Sequence, residues 1–338
     1  MLRSEGGKRF VIDEFQRLPT DFLDFLHAYH EKLNITLISS TLWLSSRLLG
    51  RGSPLLRIFE EFRMGLIDEK DILRFLITKE KGREAVEKAV CMREPWIIEM
   101  VNGNIRDEMS RMLREQKNTF VGLIGEISSE EDRLLKESYL AVLTAVSTGK
   151  VKSTEIASYL FSREILKKDD PSIIQSYLKI LGQIGLIEKV SILNRRYDQF
   201  KISSSSLDLY LDGKYGFSEL DVPQSEVRRV VDEKTLHYVE EFFRVLLSKL
   251  YGAKADKIVE KEHKVDIVLS SFRRPRLVGE VKWKGFVEKD EISRVEQILN
   301  RFKCEKVLIV PDSSALEREP KNIRVLDIAN IKELLQAR

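Results

Sequence analysis

Lys264-Val-Asp-Ile-Val-Leu269 and Leu277-Val-Gly-Glu-Val-Lys282 are two short apolar runs, each carrying an acid inside it. The basic stretch Phe272-Arg-Arg-Pro-Arg276 lies between them. Runs of this length around a turn predict a β-hairpin, with strands over 264–270 and 277–283. Glu280 and Lys282 are two apart on one strand, so they share a face. Asp266 can meet them across the neighbouring strand. A charge inside an otherwise apolar strand marks either a solvated edge or a site.

Working outward, residues 233–337 read as a helix over 235–250 and a strand over 256–262, then the hairpin. A helix over 288–302, strands over 305–311 and 323–327 and a terminal helix follow. Phosphodiester cleavage needs a hard divalent cation held by carboxylates and a polar group beside the attacking water. Asp266, Glu280 and Lys282 supply those groups. The element order and the spacing Asp266…Glu280-Val281-Lys282 resemble the PD-(D/E)XK nuclease superfamily. That resemblance implies Asp266 and Glu280 as ligands of Mg2+ and Lys282 as the group that positions or activates water. It implies a further acid on the opening helix, Glu240, with its neighbour Glu241 left open, and a phosphate contact from Gln297. The same residues also read as a charged surface hairpin, and a nuclease fold can lack activity.

Upstream, Arg9-Phe-Val-Ile-Asp13 reads as a buried strand ending in the acidic pair Asp13-Glu14. A helix is predicted over 19–32 and a second strand over 34–39, an order that implies parallel pairing. An apolar strand ending in two acids has Walker B logic, one acid toward magnesium and one toward water. Phe10-Val-Ile-Asp-Glu14, Phe15-Gln-Arg-Leu-Pro19 and Leu37-Ile-Ser-Ser-Thr41 resemble the archaeal AAA-type ATPase family, related to the STAND group. Gly52-Ser-Pro-Leu-Leu56 and Arg93-Glu-Pro-Trp96 add to the likeness. The resemblance implies an ATPase core, a helical lid, a winged helix and a nuclease-like domain in that order.

One element departs from the family. No Gly-x(4)-Gly-Lys-Ser/Thr loop precedes Phe10, and Gly6-Gly-Lys-Arg9 has neither its spacing nor its hydroxyl. The expectation is a degenerate ATP site, with Asp13 and Glu14 as relics and no ordinary ATP hydrolysis by this chain alone. A partner chain completing a split ATP site stays open. So does a protein partner covering the edge of a shortened parallel sheet, and the N-terminal region is expected to be the least stable part.

Between these ends, 68–127 is helical throughout, with Asp68-Glu-Lys-Asp71 as a helix start and Gly103-Asn104 as a break. Residues 128–205 read as three helices and two strands, 186–192 and 197–202, around Leu193-Asn-Arg-Arg196: a winged helix-turn-helix. Its recognition helix, 170–185, carries Ser172, Gln175, Ser176, Lys179 and Gln183, a surface with little positive charge. Arg195 and Arg196 suit DNA phosphates, although winged helices also dock proteins. Arg273, Arg274 and Arg276, with Lys282-Trp283-Lys284, read either as a basic rim for nucleic acid or as a solvated hairpin with one core-facing Trp. His263 beside the strand, and Trp43 and Trp96, read as structural.

The 338 residues are 43% hydrophobic and 33% charged, with a net charge of +3, so any basic surface is local. Two cysteines, far apart, and four histidines exclude a Cys/His zinc module. The lack of a membrane-length apolar run or a signal-peptide core suggests a cytoplasmic protein without membrane association. The expected fold class is multidomain, α/β and mainly α. The boundaries are 1–67 for the ATPase remnant, 68–127 for the lid, 128–205 for the winged helix, 206–232 for a connector and 233–338 for a restriction-endonuclease-like domain. The expected function is a DNA-associated protein with metal-dependent nuclease chemistry. The alternative is a non-enzymatic DNA- or protein-binding adaptor.

Overall fold

The computed structural model describes residues 9–39, 55, 57–62, 64–116, 119–120, 133–212, 222–259 and 264–337. Gly6, Gly7, Lys8, Ser40, Thr41, Trp43, Gly52 and His263, singled out above, lie outside them. The chain is a mixed α/β protein dividing into two compact units: Met1–Gly65 with Asn118–Leu140, and Leu66–Lys117 with Ala141–Arg338.

In the first unit β1 (Arg9–Ile12) and β2 (Asn34–Leu37) pair in parallel, Arg9 with Asn34 through Ile12 with Leu37. Parallel strands need a crossover, and α1 (Thr20–Tyr29) provides it. Its residues Leu23 and Leu26 are buried with Phe15 and Leu55. Val11 remains 59% exposed on β1. Asp13 and Glu14 follow β1 directly, and Glu14 has left-handed backbone at φ 52°. Asp13 Oδ1 accepts from the Glu14 N–H at 2.9 Å.

The second unit begins with α2 (Glu69–Leu76), α3 (Gly82–Cys91), α4 (Pro95–Ile98) and α5 (Ile105–Glu115). Asp68 caps α2 by accepting from the Lys70 N–H at 2.8 Å. Asn104 caps α5 through the Arg106 N–H at 3.1 Å, which is why Gly103-Asn104 interrupts the helical period. The helix α6 (Arg133–Ser147) enters this unit at Ala141 and is followed by α7 (Ser153–Ser162), α8 (Pro171–Gln183) and an antiparallel hairpin of β3 (Ile187–Ser191) and β4 (Asp198–Ile202).

The connector expected over 206–232 is largely helical where it is described. Ser204 caps a short helix, α9 (Ser205–Tyr210). The next helix, α10 (Gln224–Tyr251), runs 28 residues. Val227, Val230 and Val231 continue its apolar spacing and are all buried. Helix α10 packs against α3 and α5 as well as against the sheet that follows, so residues 66–117 form one unit with the C-terminal part.

That sheet has the order β5 (Lys254–Val259), β6 (Lys264–Ser271), β7 (Arg274–Val281), β8 (Glu305–Ile309), β9 (Arg324–Leu326). The first three strands are antiparallel and the last two parallel. The helix α11 (Lys289–Leu299) joins β7 to β8, and α12 (Ile328–Gln336) closes the chain. Ile292, Val295 and Leu299 of α11 pack on Val268, Val278 and Leu308. The outer edge of β5 is covered: Ile192 bridges Lys257 in parallel, and the Leu193 N–H donates to the Lys257 carbonyl at 2.8 Å. Among the described residues no helix is long and apolar enough to cross a membrane.

Candidate active site

The β6–β7 ladder pairs Ile267 with Gly279 and Val268 with Val278. One step further along that register Asp266 faces Glu280, on the side that carries Val268 and Val278. Both acids are buried, at 9% and 5% exposure. Asp266 Oδ2 accepts from the Val281 N–H at 3.1 Å. Lys282 Nζ lies 3.5 Å from Glu280 Oε2 and 3.8 Å from Glu291 Oε1. Glu280 Oε1 is fully buried and has no hydrogen-bond partner. Burial, and then the charge of Asp266, push the Glu280 carboxyl up to about 8.

Lys264, two residues before Asp266 on β6, lies 3.2 Å from Asp266 Oδ1 and 2.6 Å from Glu240 Oε2. Its ammonium therefore bridges an acid of the sheet and an acid of α10. Burial opposes ionisation of Glu240, but hydrogen bonds from His237 and Lys264 hold its carboxyl below the usual range. Glu241 belongs elsewhere: it pairs with Arg244, Lys201 and Lys257. Of the two neighbours, Glu240 reaches toward the Asp266 cluster through Lys264.

Glu280 and Lys282 open onto a cleft of about 370 Å³ that is also lined by Glu288, Asp290, Glu291, Arg294, Val295 and Ile298. Glu291, Arg294 and Ile298 follow helical spacing along one face of α11. Gln297 is exposed and off that face, so the structure does not bring it to the cleft. Arg294 and Glu291 occupy the place expected of it. Lys284 is paired with Glu291 at 2.5 Å. Trp283 is 4% exposed, packs 5.4 Å from Phe243 and donates its indole N–H to Glu87. It cannot stack on a base.

The basic rim does not form around the acids. Arg273 lies in the β6–β7 turn and Arg274 opens β7. Six residues of strand place Arg274 about 20 Å from Glu280. Arg195 and Arg196 are exposed in the β3–β4 turn. The Ile192–Lys257 bridge is parallel, so this turn runs along the sheet edge toward Val259, the residue paired with Lys264. Arg195 and Arg196 thus lie toward the acidic end of the sheet, and Arg273 and Arg274 lie at the other end.

Lys264, Glu291 and Arg294 escaped the reading from sequence. Alternation could have found Lys264, which shares the face of Asp266 on its strand. Glu291 and Arg294 needed the packing of α11. A separate cavity of about 210 Å³ is lined by Phe200, Ser203, Tyr238 and Phe242, with Arg93, Lys201, Lys234 and Glu241 at its walls. Those four charges are already in ion pairs.

Asp266 and Glu280 are neighbouring buried carboxylates that could share a hard cation. No group of three or more His, Cys, Asp or Glu side chains converges among the described residues. Two carboxylates suit Mg2+, which keeps much of its water and binds through one or two acids plus substrate phosphate. The unpartnered Glu280 Oε1 fits such a ligand.

No family model matches the chain. No curated protein matches it either. Among solved structures it is similar to a Walker-type ATPase of Pyrococcus abyssi, with a TM-score of 0.42 and 19% sequence identity over 60% of this chain. The match spans 62% of that ATPase.

Proposed function

We propose that the C-terminal sheet carries a Mg2+-dependent phosphodiester hydrolysis site of the PD-(D/E)XK kind, on a DNA-associated protein of the archaeal ATPase family. The observation behind this reading is the buried Asp266–Glu280 pair, with one carboxylate oxygen unpartnered and Lys282 beside it at a cleft. Two adjacent buried carboxylates are unfavourable without a proton or a cation between them. Bound there, Mg2+ would polarise the phosphoryl oxygen and acidify a water. Asp266 and Glu280 would hold the cation, and the Val281 N–H would fix the orientation of Asp266. Lys282 would orient the attacking water. Glu240 would act through Lys264, as a positioning residue. Arg195 and Arg196 would take phosphates on the side of the wing, and the exposed face of α8 would lie against DNA. In this reading Asp13 and Glu14 belong to the ATPase-family part, and no ATP turnover is assigned to them.

A non-enzymatic adaptor is the second reading. It is favoured by Lys264, whose ammonium pairs with both Asp266 and Glu240. Incubation of plasmid, single-stranded and branched DNA with Mg2+ or Mn2+ separates the two. Hydrolysis requires cleavage that is lost in Asp266→Ala and Lys282→Ala. No cleavage of any substrate, or cleavage unchanged in both variants, removes the enzymatic reading. DNA binding without turnover then supports the adaptor.

A further inference from the structure

Ser271 pairs with Arg274, which leaves Phe272 and Arg273 as a two-residue turn at the tip of the β6–β7 hairpin. Both have left-handed backbone, with φ of 50° and 62°. Turns of this type favour Asn or Gly at both positions, and a bulky aromatic there is uncommon. Phe272 is 94% exposed. Neither local conformation nor burial accounts for Phe272 at the tip.

Three arginines follow it within four residues. Arg273, Arg274 and Arg276 are exposed, and none has a side-chain ion pair among the described residues. The ladder shifts between Leu269 and Ser270, which makes Arg276 an extra residue on β7. Such a bulge bends the strand and re-aims the side chain. The acids at this end are occupied: Asp256 is held by Ser270 and Lys254, and Glu305 by Tyr251 and Arg324. The tip therefore offers one open aromatic face inside an unneutralised positive field.

We propose that this tip is a second nucleic-acid contact, with Phe272 stacking on an unpaired base and the three arginines holding the flanking phosphates. The inference rests on the nucleic-acid part of the reading above and not on hydrolysis. Eight residues of strand separate Phe272 from Glu280, about 25 Å. That is about seven nucleotide steps at duplex spacing. The tip would thus hold a strand well outside the acidic cleft. An anionic membrane would attract the same charges, but one ring on a two-residue turn lacks the broad apolar face that a lipid boundary takes up.

The test uses the full chain carrying Asp266→Ala, so that cleavage cannot intrude and failure of the hydrolysis reading leaves the result interpretable. Anisotropy of a labelled oligothymidine and of a labelled duplex reads binding. Adding Phe272→Ala should weaken single-strand affinity about tenfold and duplex affinity less. Adding Arg273→Ala and Arg274→Ala together should weaken both and flatten the salt dependence by about 1.4 units of log K per log salt on the single strand and about 1.8 on the duplex. Matching thermal unfolding curves show that the variants fold. Unchanged single-strand affinity in Phe272→Ala overturns the proposal. So does a loss confined to phosphatidylserine vesicles.

Discussion

The indole N–H of Trp283 donates to Glu87 Oε1 at 2.9 Å, joining residues 196 positions apart. Trp283 directly follows Lys282 in the chain, and Glu87 sits on α3. Glu87 also holds Arg83 and Arg106, and Arg106 reaches Asp232 on α10. Burial works against the charge on Glu87, yet those two arginines hold its carboxyl below the usual range. A hydrogen bond to a charged, buried acceptor contributes about 1.5–3 kcal/mol. Trp283→Phe keeps most of the ring packing and removes the donor, so urea unfolding should show a loss in that range. A loss under about 0.5 kcal/mol would mean that the bond contributes little to stability.

Glu280 makes stability depend on pH with a definite sign. Its folded carboxyl is pushed up to about 8 from the ordinary 4.5, so the native state keeps a proton that the unfolded chain releases. Its contribution is complete below about pH 4.5 and is lost as pH rises through about 8. In EDTA, the Tm of the wild type relative to Glu280→Gln should fall steadily from pH 5 to pH 8. A constant difference across that range would show that Glu280 titrates as an ordinary carboxyl.

Lys264 and a divalent cation would compete for Asp266. Unit charges about 4 Å apart interact by about 4 kcal/mol at an effective dielectric near 20. Water around this ammonium, whose side chain is 58% exposed, reduces that considerably. Lys264→Met should therefore tighten Tb3+ binding, read by luminescence titration, by about tenfold or less. Weaker binding in the variant would show that positioning Asp266 and Glu240 outweighs the competition for Asp266.

Gly279 separates Val278 from Glu280 with no room for a side chain. A Cβ there would meet Val307 Cγ2 at 2.5 Å and the Val307 carbonyl at 3.0 Å. Gly279→Ala must push β8 from β7 and should destabilise the fold by about 1–3 kcal/mol. Because Glu280 is the next residue, any metal binding at Asp266 and Glu280 should weaken with it. Wild-type thermal stability in the variant would show that the two strands part without penalty.

Much of the sheet was readable before any packing was known. The runs around Asp266 and Glu280 are short, apolar and joined by a basic turn, which suffices to place strands there. The parallel pairing of Arg9–Ile12 with Asn34–Leu37 was readable for a similar reason, since a helix of crossover length separates them. Within residues 206–232, expected as a connector, Val227, Val230 and Val231 carry helical spacing, and the helix from Gln224 begins ahead of the expected start at 235.

By itself the sequence determined the strands, their alternation and the nearness of Asp266 to Glu280 across one turn, because hairpin register is local. Tertiary structure alone decided which groups gather around that pair. Lys264 reaches Glu240 because α10 crosses the sheet, and Gln297 turns away because α11 presents Glu291 and Arg294 to the cleft. It also separated the hairpin arginines from the acids and buried Trp283 against Phe243 and Glu87. Those outcomes depend on contacts between elements distant in the chain, and no local period encodes how one packed element faces another.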